Sequence, residues 1–259
     1  MSTITNHEES FFQDRRRLFA GLTQDFTDKI GEIIRKRRKA TLALAGGTTP
    51  GPLYEALSNV PLNWEKVSLT VTDERWVSPE DPASNEFLIR DLLMKRRASA
   101  ATFVPFKTNH AKASGGAATA EKRLTPIMPF DICLLGMGPD GHIASLIPGA
   151  EGYAAAVDPA GTKKVAGIHA PGAAGAPERM TLTIPGILTS RRIVLLFMGA
   201  DKLAVYNEAK AGEGSSPIRE LLLQRSQPSQ FQGLLIDQHQ TGLLRVVPRR
   251  LQSLRPLPR

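Results

Sequence analysis

Short apolar runs rich in strand-forming residues recur along this chain, and each ends at glycine or polar residues that can bind a ligand or transfer a proton. Four such runs are prominent, at 41–45, 67–72, 132–135 and 193–197. Residues with helical spacing follow the first run at 53–57 and the fourth at 203–210. Strands that alternate with helices in this way predict an α/β fold, with a mostly parallel sheet covered by helices on both faces.

The length of the chain and its weaker apolar runs indicate one large domain. Further strand candidates at 164–169, 180–184 and 233–237 bring the expected number of strands to about six or seven. With 259 residues, of which 41% are hydrophobic, the chain can bury a substantial core. We therefore expect a single domain over residues 1–259, in which the proline-containing tail at 248–259 is a loose extension.

The first candidate site follows the first strand, where Gly46, Gly47 and Thr48 lead into a helix. Glycines leave backbone N–H groups accessible and a helix start adds positive potential, so this turn is a candidate cradle for a phosphate dianion. Thr49 is expected to cap the helix, with Pro50 in its first turn. The turn lacks the Gly-Lys-Ser/Thr ending of a nucleotide P-loop, which disfavours a triphosphate. An ordinary tight turn is the alternative interpretation.

Charged residues at other strand ends are expected to meet this turn, because ligands of parallel α/β sheets collect beyond the carboxyl ends of the strands. Arg75 and Lys202 each follow a strand end, where both could bind the same phosphate. Arg75 could do so through two hydrogen bonds, and Lys202 as a point charge. Asp73, which also follows a strand, is a secondary candidate for acid/base catalysis.

The loop after the third strand carries the main candidate for a catalytic group. Residues 136–141 formally match the G-x-G-x-x-G pattern of dinucleotide sites, but Asp140 places a negative charge where pyrophosphate would approach. The acidic strand end that should follow about 20 residues later is also missing. His142 comes two positions after Asp140, and its imidazole titrates near neutrality, so it can take a proton from water and return it.

Other kinds of site find little support in the sequence. No Cys/His pair or H-x-x-x-H spacing indicates a metal site, and no G-x-S-x-G elbow indicates a nucleophilic serine. Ser145 is the nearest serine after His142. The single cysteine, Cys133, lies in an apolar run and is expected to be a buried, inert thiol.

Charge and hydropathy limit the classes of partner. The formal charge is +8, but many of the cations lie at 15–17, at 35–39 and in the tail, which favours a solvated surface over a nucleic-acid site. No run approaches the about 18 apolar residues that span a bilayer, and the N-terminus lacks the apolar centre of a signal peptide. We expect a cytoplasmic protein without a membrane partner.

Five segments together resemble the 6-phosphogluconolactonases, and the resemblance covers most of residues 40–240. The segments are LAGGTTP (44–50), TDERWVSPEDPASNE (72–86), FDICLLGMGPDGHIASLIPG (130–149), PERMTLT (177–183) and GADK (199–202). The two longest are highly specific in combination. The resemblance implies a Rossmann-like α/β fold shared with glucosamine-6-phosphate deaminases, and neither a metal nor an organic cofactor.

Carried over residue by residue, the resemblance assigns roles. His142 matches the catalytic histidine of the family, and the phosphate-binding positions fall on Gly46, Gly47, Thr48, Arg75 and Lys202. Arg179, in PERMTLT, matches a family arginine and joins the expected substrate-binding group. The implied activity is hydrolysis of 6-phospho-D-glucono-1,5-lactone to 6-phosphogluconate in the oxidative pentose phosphate pathway. We expect the protein to be a monomer or small homo-oligomer.

The expected mechanism begins with His142, oriented by Asp140 or by a backbone carbonyl, which activates a water for attack on the lactone carbonyl. Loop N–H groups near 138–141, helped by Arg75, are expected to stabilise the charge on the carbonyl oxygen.

Two alternatives stay open. One is an aminosugar-phosphate deaminase or isomerase, although the continuation IASLIPG after His142 and Trp76 after DER favour the lactonase. The other is a non-catalytic sugar-phosphate sensor whose basic ends bind nucleic acid, against which the pair Asp140 and His142 argues.

Overall fold

The computed structural model describes residues 7–224 and 230–236 of the chain, and these residues form ten strands and eight α-helices. The strands are β1 (His7–Phe12), β2 (Ala40–Leu44), β3 (Val67–Val71), β4 (Asp73–Arg75), β5 (Thr102–Phe103), β6 (Ile132–Gly136), β7 (Val165–His169), β8 (Glu178–Leu182), β9 (Arg192–Met198) and β10 (Gln230–Ile236). The α-helices are α1 (Arg15–Arg37), α2 (Gly51–Leu57), α3 (Asn85–Leu92), α4 (Ala113–Leu124), α5 (Tyr153–Val157), α6 (Ile184–Leu188), α7 (Ala200–Ala211) and α8 (Pro217–Leu223).

Seven of the strands form one sheet in the order β1-β10-β9-β6-β2-β3-β5, and every neighbouring pair in it is parallel. Helices flank this sheet, so the predicted α/β fold with a mostly parallel sheet is confirmed. The four apolar runs that open the sequence argument are β2, β3, β6 and β9, and they lie side by side at the centre.

A second sheet was not expected. Strands β4, β8 and β7 pair antiparallel in that order, so the candidates at 164–169 and 180–184 belong to a separate sheet, and their expected place in the main sheet was wrong. Their short apolar runs resemble those of buried parallel strands, and pairing direction is not encoded in such runs. Strands β1, β4 and β5 were not predicted, because β1 is polar at its start and the other two are only three and two residues long.

Helix α1 illustrates how the sequence pattern produces the core. Its buried residues recur every three or four positions along one face: Leu18, Phe19, Leu22, Phe26 and Ile30. The helix begins after Asp14, whose carboxylate accepts a hydrogen bond from the Arg17 backbone N–H at 2.8 Å. It ends at Arg37, and the C-cap residue Arg38 adopts a left-handed conformation with φ 68°. Strand β2 follows directly, and all five of its residues are buried.

The order of the central strands creates a crevice. From β2 the chain proceeds outward to β3 and β5, and then returns to the opposite side of β2 to form β6. Strand order therefore reverses between β2 and β6, which hydrogen-bond to each other through Leu42↔Ile132 and Ala43↔Cys133. In open α/β sheets a ligand crevice forms at such a reversal, beyond the carboxyl ends of the two strands.

The opposite, amino edge of the same strands is closed by a buried carboxylate. Asp131, 2% exposed, accepts hydrogen bonds from the Thr41 backbone N–H at 3.0 Å and from the Arg37 guanidinium. The Arg191 guanidinium lies 3.4 Å from the same carboxylate. Cys133 is buried in the adjoining strand, as predicted, and burial raises the pKa of its thiol to about 12, which makes it inert.

No helix within the described ranges 7–224 and 230–236 is long and apolar enough to cross a membrane. The predicted loose extension at 248–259 lies outside these ranges.

Candidate active site

A cleft of about 240 Å³ opens at the carboxyl ends of β2 and β6, where strand order reverses. It brings together most of the residues predicted from the sequence: Gly46, Gly47, Asp73, Arg75, His142, Arg179 and Lys202. The structure therefore places the imidazole and the glycine turn on one shared opening. Thr48 is exposed outside the lining, and Thr49 lines the cleft in its place.

The turn after β2 needs its two glycines for different reasons. A Cβ at position 46 would lie 1.9 Å from Oδ1 of Asn85, so only glycine fits against that side chain. Gly47 has φ +79°, a left-handed conformation that L-residues with side chains rarely adopt. Within the described part of the chain, none of the backbone N–H groups of residues 46–49 donates a hydrogen bond. Four consecutive donors are thus available to an anion at the mouth of the cleft.

The helix after this turn departs from the prediction. Helix α2 begins at Gly51, its N-cap is Pro50, and no side chain caps it, so the expected capping by Thr49 was wrong. The turn is instead closed by a hydrogen bond from the Gly51 N–H to the Thr48 carbonyl at 3.3 Å. Thr49 is therefore free to face the cleft.

In the loop after β6, the His142 ring packs against the loop backbone at Gly138 and hydrogen-bonds to Asp140. The Nδ1 atom of His142 donates a hydrogen bond to Oδ1 of Asp140 at 2.6 Å, and Asp140 also accepts from the His142 N–H at 3.2 Å. A Cβ at position 138 would lie 2.2 Å from the imidazole ring, so the ring packs where only glycine leaves room. Gly141, with φ +78°, provides the left-handed residue that the tight turn requires.

This geometry selects one tautomer of the neutral His142 imidazole. Because the proton on Nδ1 is donated to the Asp140 carboxylate, Nε2 is the unprotonated nitrogen of the neutral ring and can accept a proton from water. Partial burial favours the neutral acid of Asp140, but the charge and hydrogen bonds of His142 outweigh it and lower the pKa of Asp140 below its ordinary value. Asp140 therefore stays ionised and stabilises the imidazolium that forms when His142 takes a proton.

Two of the loop amides near 138–141 that were predicted to form an oxyanion site already have acceptors within the loop. The Gly138 N–H donates to the His142 carbonyl at 2.8 Å, and the Gly141 N–H donates to the Gly138 carbonyl at 3.2 Å. Both donors are consumed in closing the loop, which the sequence alone could not reveal.

Two arginines face each other across the second sheet. Arg75 on β4 pairs in register with Arg179 on β8, an arrangement of like charges that costs stability. Each is held by backbone carbonyls: Arg75 Nη1 donates to Ala83 at 2.6 Å, and Arg179 Nε donates to Ala176 at 3.0 Å. Burial lowers the pKa of Arg179, with Asp73 opposing this and Arg75 adding to it. Neither forms a salt bridge with a carboxylate among the described residues, so both charges are available to an anion.

Lys202 adds a third cation from the first turn of α7. Its Nζ atom donates to the Met137 carbonyl at 2.6 Å, so it lies beside the His142 loop. Burial lowers the pKa of Lys202, against the opposing charge of Asp140. The amine keeps two further hydrogens for a ligand in the cleft.

Asp73 does not contact His142. Its Oδ2 atom accepts a hydrogen bond from the Ser145 hydroxyl at 2.6 Å, and its Oδ1 atom lies 3.3 Å from the Thr72 hydroxyl. The carboxylate in contact with the His142 ring is that of Asp140. The acid/base role of Asp73 stays a prediction.

Three residues near the cleft were missed from the sequence: Glu74, Asn85 and Ser145. Glu74 is 2% exposed and accepts hydrogen bonds from the N–H groups of Arg75, Asn85 and Glu86. Burial nevertheless raises the pKa of Glu74 to about 7. The segment TDERWVSPEDPASNE contains two of the three, but only the folded chain brings Asn85 beneath the glycine turn. No cluster of three or more metal-binding side chains occurs in the described ranges.

Comparisons with known proteins agree with this geometry. The family model described as glucosamine-6-phosphate isomerases/6-phosphogluconolactonase matches residues 13–229. A 6-phosphogluconolactonase of Mesorhizobium japonicum is 38% identical over 212 residues, covering 82% of this chain and 88% of its own. One of Rhizobium meliloti is 36% identical, covering 85% of this chain and 95% of its own.

Among solved structures, a 6-phosphogluconolactonase from Shewanella baltica superimposes with a TM-score of 0.83 at 33% identity, covering 91% of this chain and 100% of its own. A monomeric glucosamine-6-phosphate deaminase superimposes with a TM-score of 0.72 at 22% identity, covering 89% of this chain and 98% of its own, and thus shares the fold.

Proposed function

The chain belongs to the glucosamine-6-phosphate isomerase/6-phosphogluconolactonase family, and from this membership and the cleft we infer that it hydrolyses 6-phospho-D-glucono-1,5-lactone to 6-phosphogluconate. The relatives from Mesorhizobium japonicum and Rhizobium meliloti are both named 6-phosphogluconolactonase. The observation that carries the inference is the single cleft lined by both the glycine turn and His142. A substrate with phosphate at one end and an ester at the other can occupy both at once.

The phosphate end of the substrate is bound by backbone N–H groups and by cationic side chains. The free N–H groups of the cleft-lining residues in the glycine turn and the cations Arg75, Arg179 and Lys202 supply donors and positive potential on the walls of one cleft. A phosphate dianion can therefore form the ion pairs that no carboxylate of the described residues forms with these cations. Binding energy from the phosphate fixes the distant C1 carbonyl in place, which lowers the entropic part of the barrier.

The ester end is attacked by water. His142 accepts a proton from the water at Nε2 while the water oxygen forms a bond to C1, and Asp140 stabilises the resulting imidazolium through Nδ1. Negative charge develops on the carbonyl oxygen in a cleft rich in cations, and this field stabilises it. The bond from C1 to the ring oxygen then breaks, and the imidazolium returns its proton to that oxygen, giving the open acid.

Proton release tests this function directly. Freshly generated 6-phosphogluconolactone is followed with and without the protein, because hydrolysis liberates an acid and the lactone also hydrolyses spontaneously. We expect a protein-dependent rate well above the spontaneous one. Ammonia release from glucosamine 6-phosphate, assayed in parallel, is expected to be absent, and its presence with no lactonase activity would assign the deaminase reaction instead.

We also propose that the protein acts in the cytoplasm as one domain, as a monomer or small homo-oligomer, with the phosphosugar lactone as its partner. Size-exclusion chromatography with light scattering measures the oligomeric state, and a large assembly would contradict this proposal.

A further inference from the structure

Asp73 lines the cleft and forms hydrogen bonds to residues on two sides of it. It is 6% exposed at the start of β4 and uses its backbone and its side chain for different partners. The backbone carbonyl accepts a hydrogen bond from Nδ2 of Asn85 at 2.8 Å, and the carboxylate accepts one from the Ser145 hydroxyl at 2.6 Å. One buried residue therefore connects the two sides.

Asn85 carries the contact to the phosphate side. It is the first residue of α3, is 2% exposed, and its Oδ1 atom packs against Gly46 closely enough to exclude any Cβ there. Oδ1 accepts no hydrogen bond from the described residues, so it is fixed by shape and by the bond that Nδ2 makes to Asp73. The position of the glycine turn consequently depends on Asn85.

Ser145 carries the contact to the catalytic side. It is fully buried three residues after His142, and its N–H donates to the Thr181 hydroxyl at 3.1 Å. Its hydroxyl oxygen also lies 3.4 Å from Nη1 of Arg179, which donates to it. Between His142 and Ser145 the backbone passes through Ala144 at φ 49°, an unfavourable conformation for alanine. The Ser145 contacts hold this strained segment in place.

We propose that Asp73, Asn85 and Ser145 form a buried spacer that fixes the separation between His142 and the turn at 46–49. The proposal rests on the proposed function, because that separation matters for a substrate that spans the cleft. A correct separation lets phosphate binding deliver the C1 carbonyl to the activated water, and misplacement by about 1 Å can cost about 100-fold in rate. In this role Asp73 and Ser145 are positioning residues.

The spacer predicts a loss that depends on substrate length. In Ser145→Ala and Asn85→Ala, kcat/KM for 6-phosphogluconolactone is expected to fall about 10- to 100-fold. For unphosphorylated glucono-1,5-lactone, which gains nothing from the phosphate turn, it should change little. The ratio of the two values is the readout, since general loss of folded protein lowers both equally. Ser145→Cys, which keeps a weak donor, should restore part of the ratio.

Ser190→Ala is the matched control. Ser190 is also a buried serine, 2% exposed, but it precedes β9 at the amino edge of the sheet and does not line the cleft. Its removal should leave the ratio unchanged.

Binding gives a second readout that does not require turnover. In Ser145→Ala and Asn85→Ala, affinity for 6-phosphogluconate, which reaches both sides, is expected to weaken about 10-fold, whereas affinity for inorganic phosphate should stay constant. Equal losses for both lactones, or parallel changes in both affinities, would overturn the spacer. If the wild-type protein hydrolyses neither lactone, the proposed function fails, and the two affinities still decide the spacer.

Discussion

The two ends of the central strands differ in whether their charged groups have partners of opposite charge. At the amino edge, the buried carboxylate of Asp131 is matched by two guanidiniums and a backbone N–H. At the carboxyl edge, Arg75 and Arg179 oppose each other and are held by carbonyl oxygens, and four N–H groups of the glycine turn have no partner within the described residues. Satisfied charge stabilises the fold, whereas unsatisfied charge of one sign is maintained where an anion binds.

The largest effect on stability is expected at the amino edge. Asp131→Ala leaves the buried Thr41 N–H without an acceptor, so the free energy of unfolding should fall by about 2–3 kcal/mol. Urea unfolding measures this change. Activity per folded molecule should stay the same, because Asp131 does not line the cleft. A loss of kcat in the folded variant would show that the two edges are not separate.

At the carboxyl edge, Arg75→Ala should have the reverse profile. Removing one of two facing cations relieves repulsion, so stability should hold, while KM for the phosphorylated lactone should rise about 10- to 100-fold. Steady-state kinetics with phosphorylated and unphosphorylated lactone provide the test. An unchanged preference for the phosphorylated substrate would remove Arg75 from the phosphate site.

Glu74 is a buried carboxylate at the carboxyl edge, and we expect it to make the free energy of unfolding depend on pH. Its folded pKa of about 7 lies above the ordinary 4.5, so the folded state binds the proton more tightly. Its contribution to the free energy of unfolding is therefore fully present below pH 4.5 and is lost as pH rises through about 7. Urea unfolding of wild type and Glu74→Gln across this range should show the decline only in wild type. Parallel curves would contradict the assignment.

The smallest effect separates two neighbouring threonines. Thr49 lines the cleft and Thr48 does not, so Thr49→Ala should weaken binding of 6-phosphogluconate by about 1 kcal/mol, and Thr48→Ala should leave it unchanged. Isothermal titration measures both. The opposite result would favour the position that the family resemblance assigns to Thr48.

The sequence was sufficient for the part of the molecule that depends on local pattern. The central strands β2, β3, β6 and β9 follow from their apolar runs, and the chemistry at their carboxyl ends follows from parallel topology. Thr49 as a helix cap was wrong, because the chain makes one further turn before α2 begins. The contacts of Asp73 with Asn85 and Ser145 join positions 12 and 72 residues apart, and no local pattern encodes such pairs.

Local sequence pattern likewise does not give the pairing direction of the strands or the hydrogen-bond partner of His142. The strands at 165–169 and 178–182 have apolar runs much like those of the main sheet, yet they pair antiparallel with each other, and the second of them also pairs antiparallel with β4, in a second sheet. Likewise, the sequence leaves open whether Asp140 or a backbone carbonyl orients His142, and only the folded chain shows the 2.6 Å contact from Nδ1 to Asp140.

Turnover and binding measured together in His142→Ala test whether the imidazole and the glycine turn have separate roles. Hydrolysis of 6-phosphogluconolactone is followed by proton release, and affinity for 6-phosphogluconate is followed by titration calorimetry. We predict that kcat falls about 100- to 10,000-fold while affinity stays within a few-fold of the wild type, because the imidazole transfers the proton and the glycine turn binds the phosphate. Near-normal turnover in this variant would contradict the account.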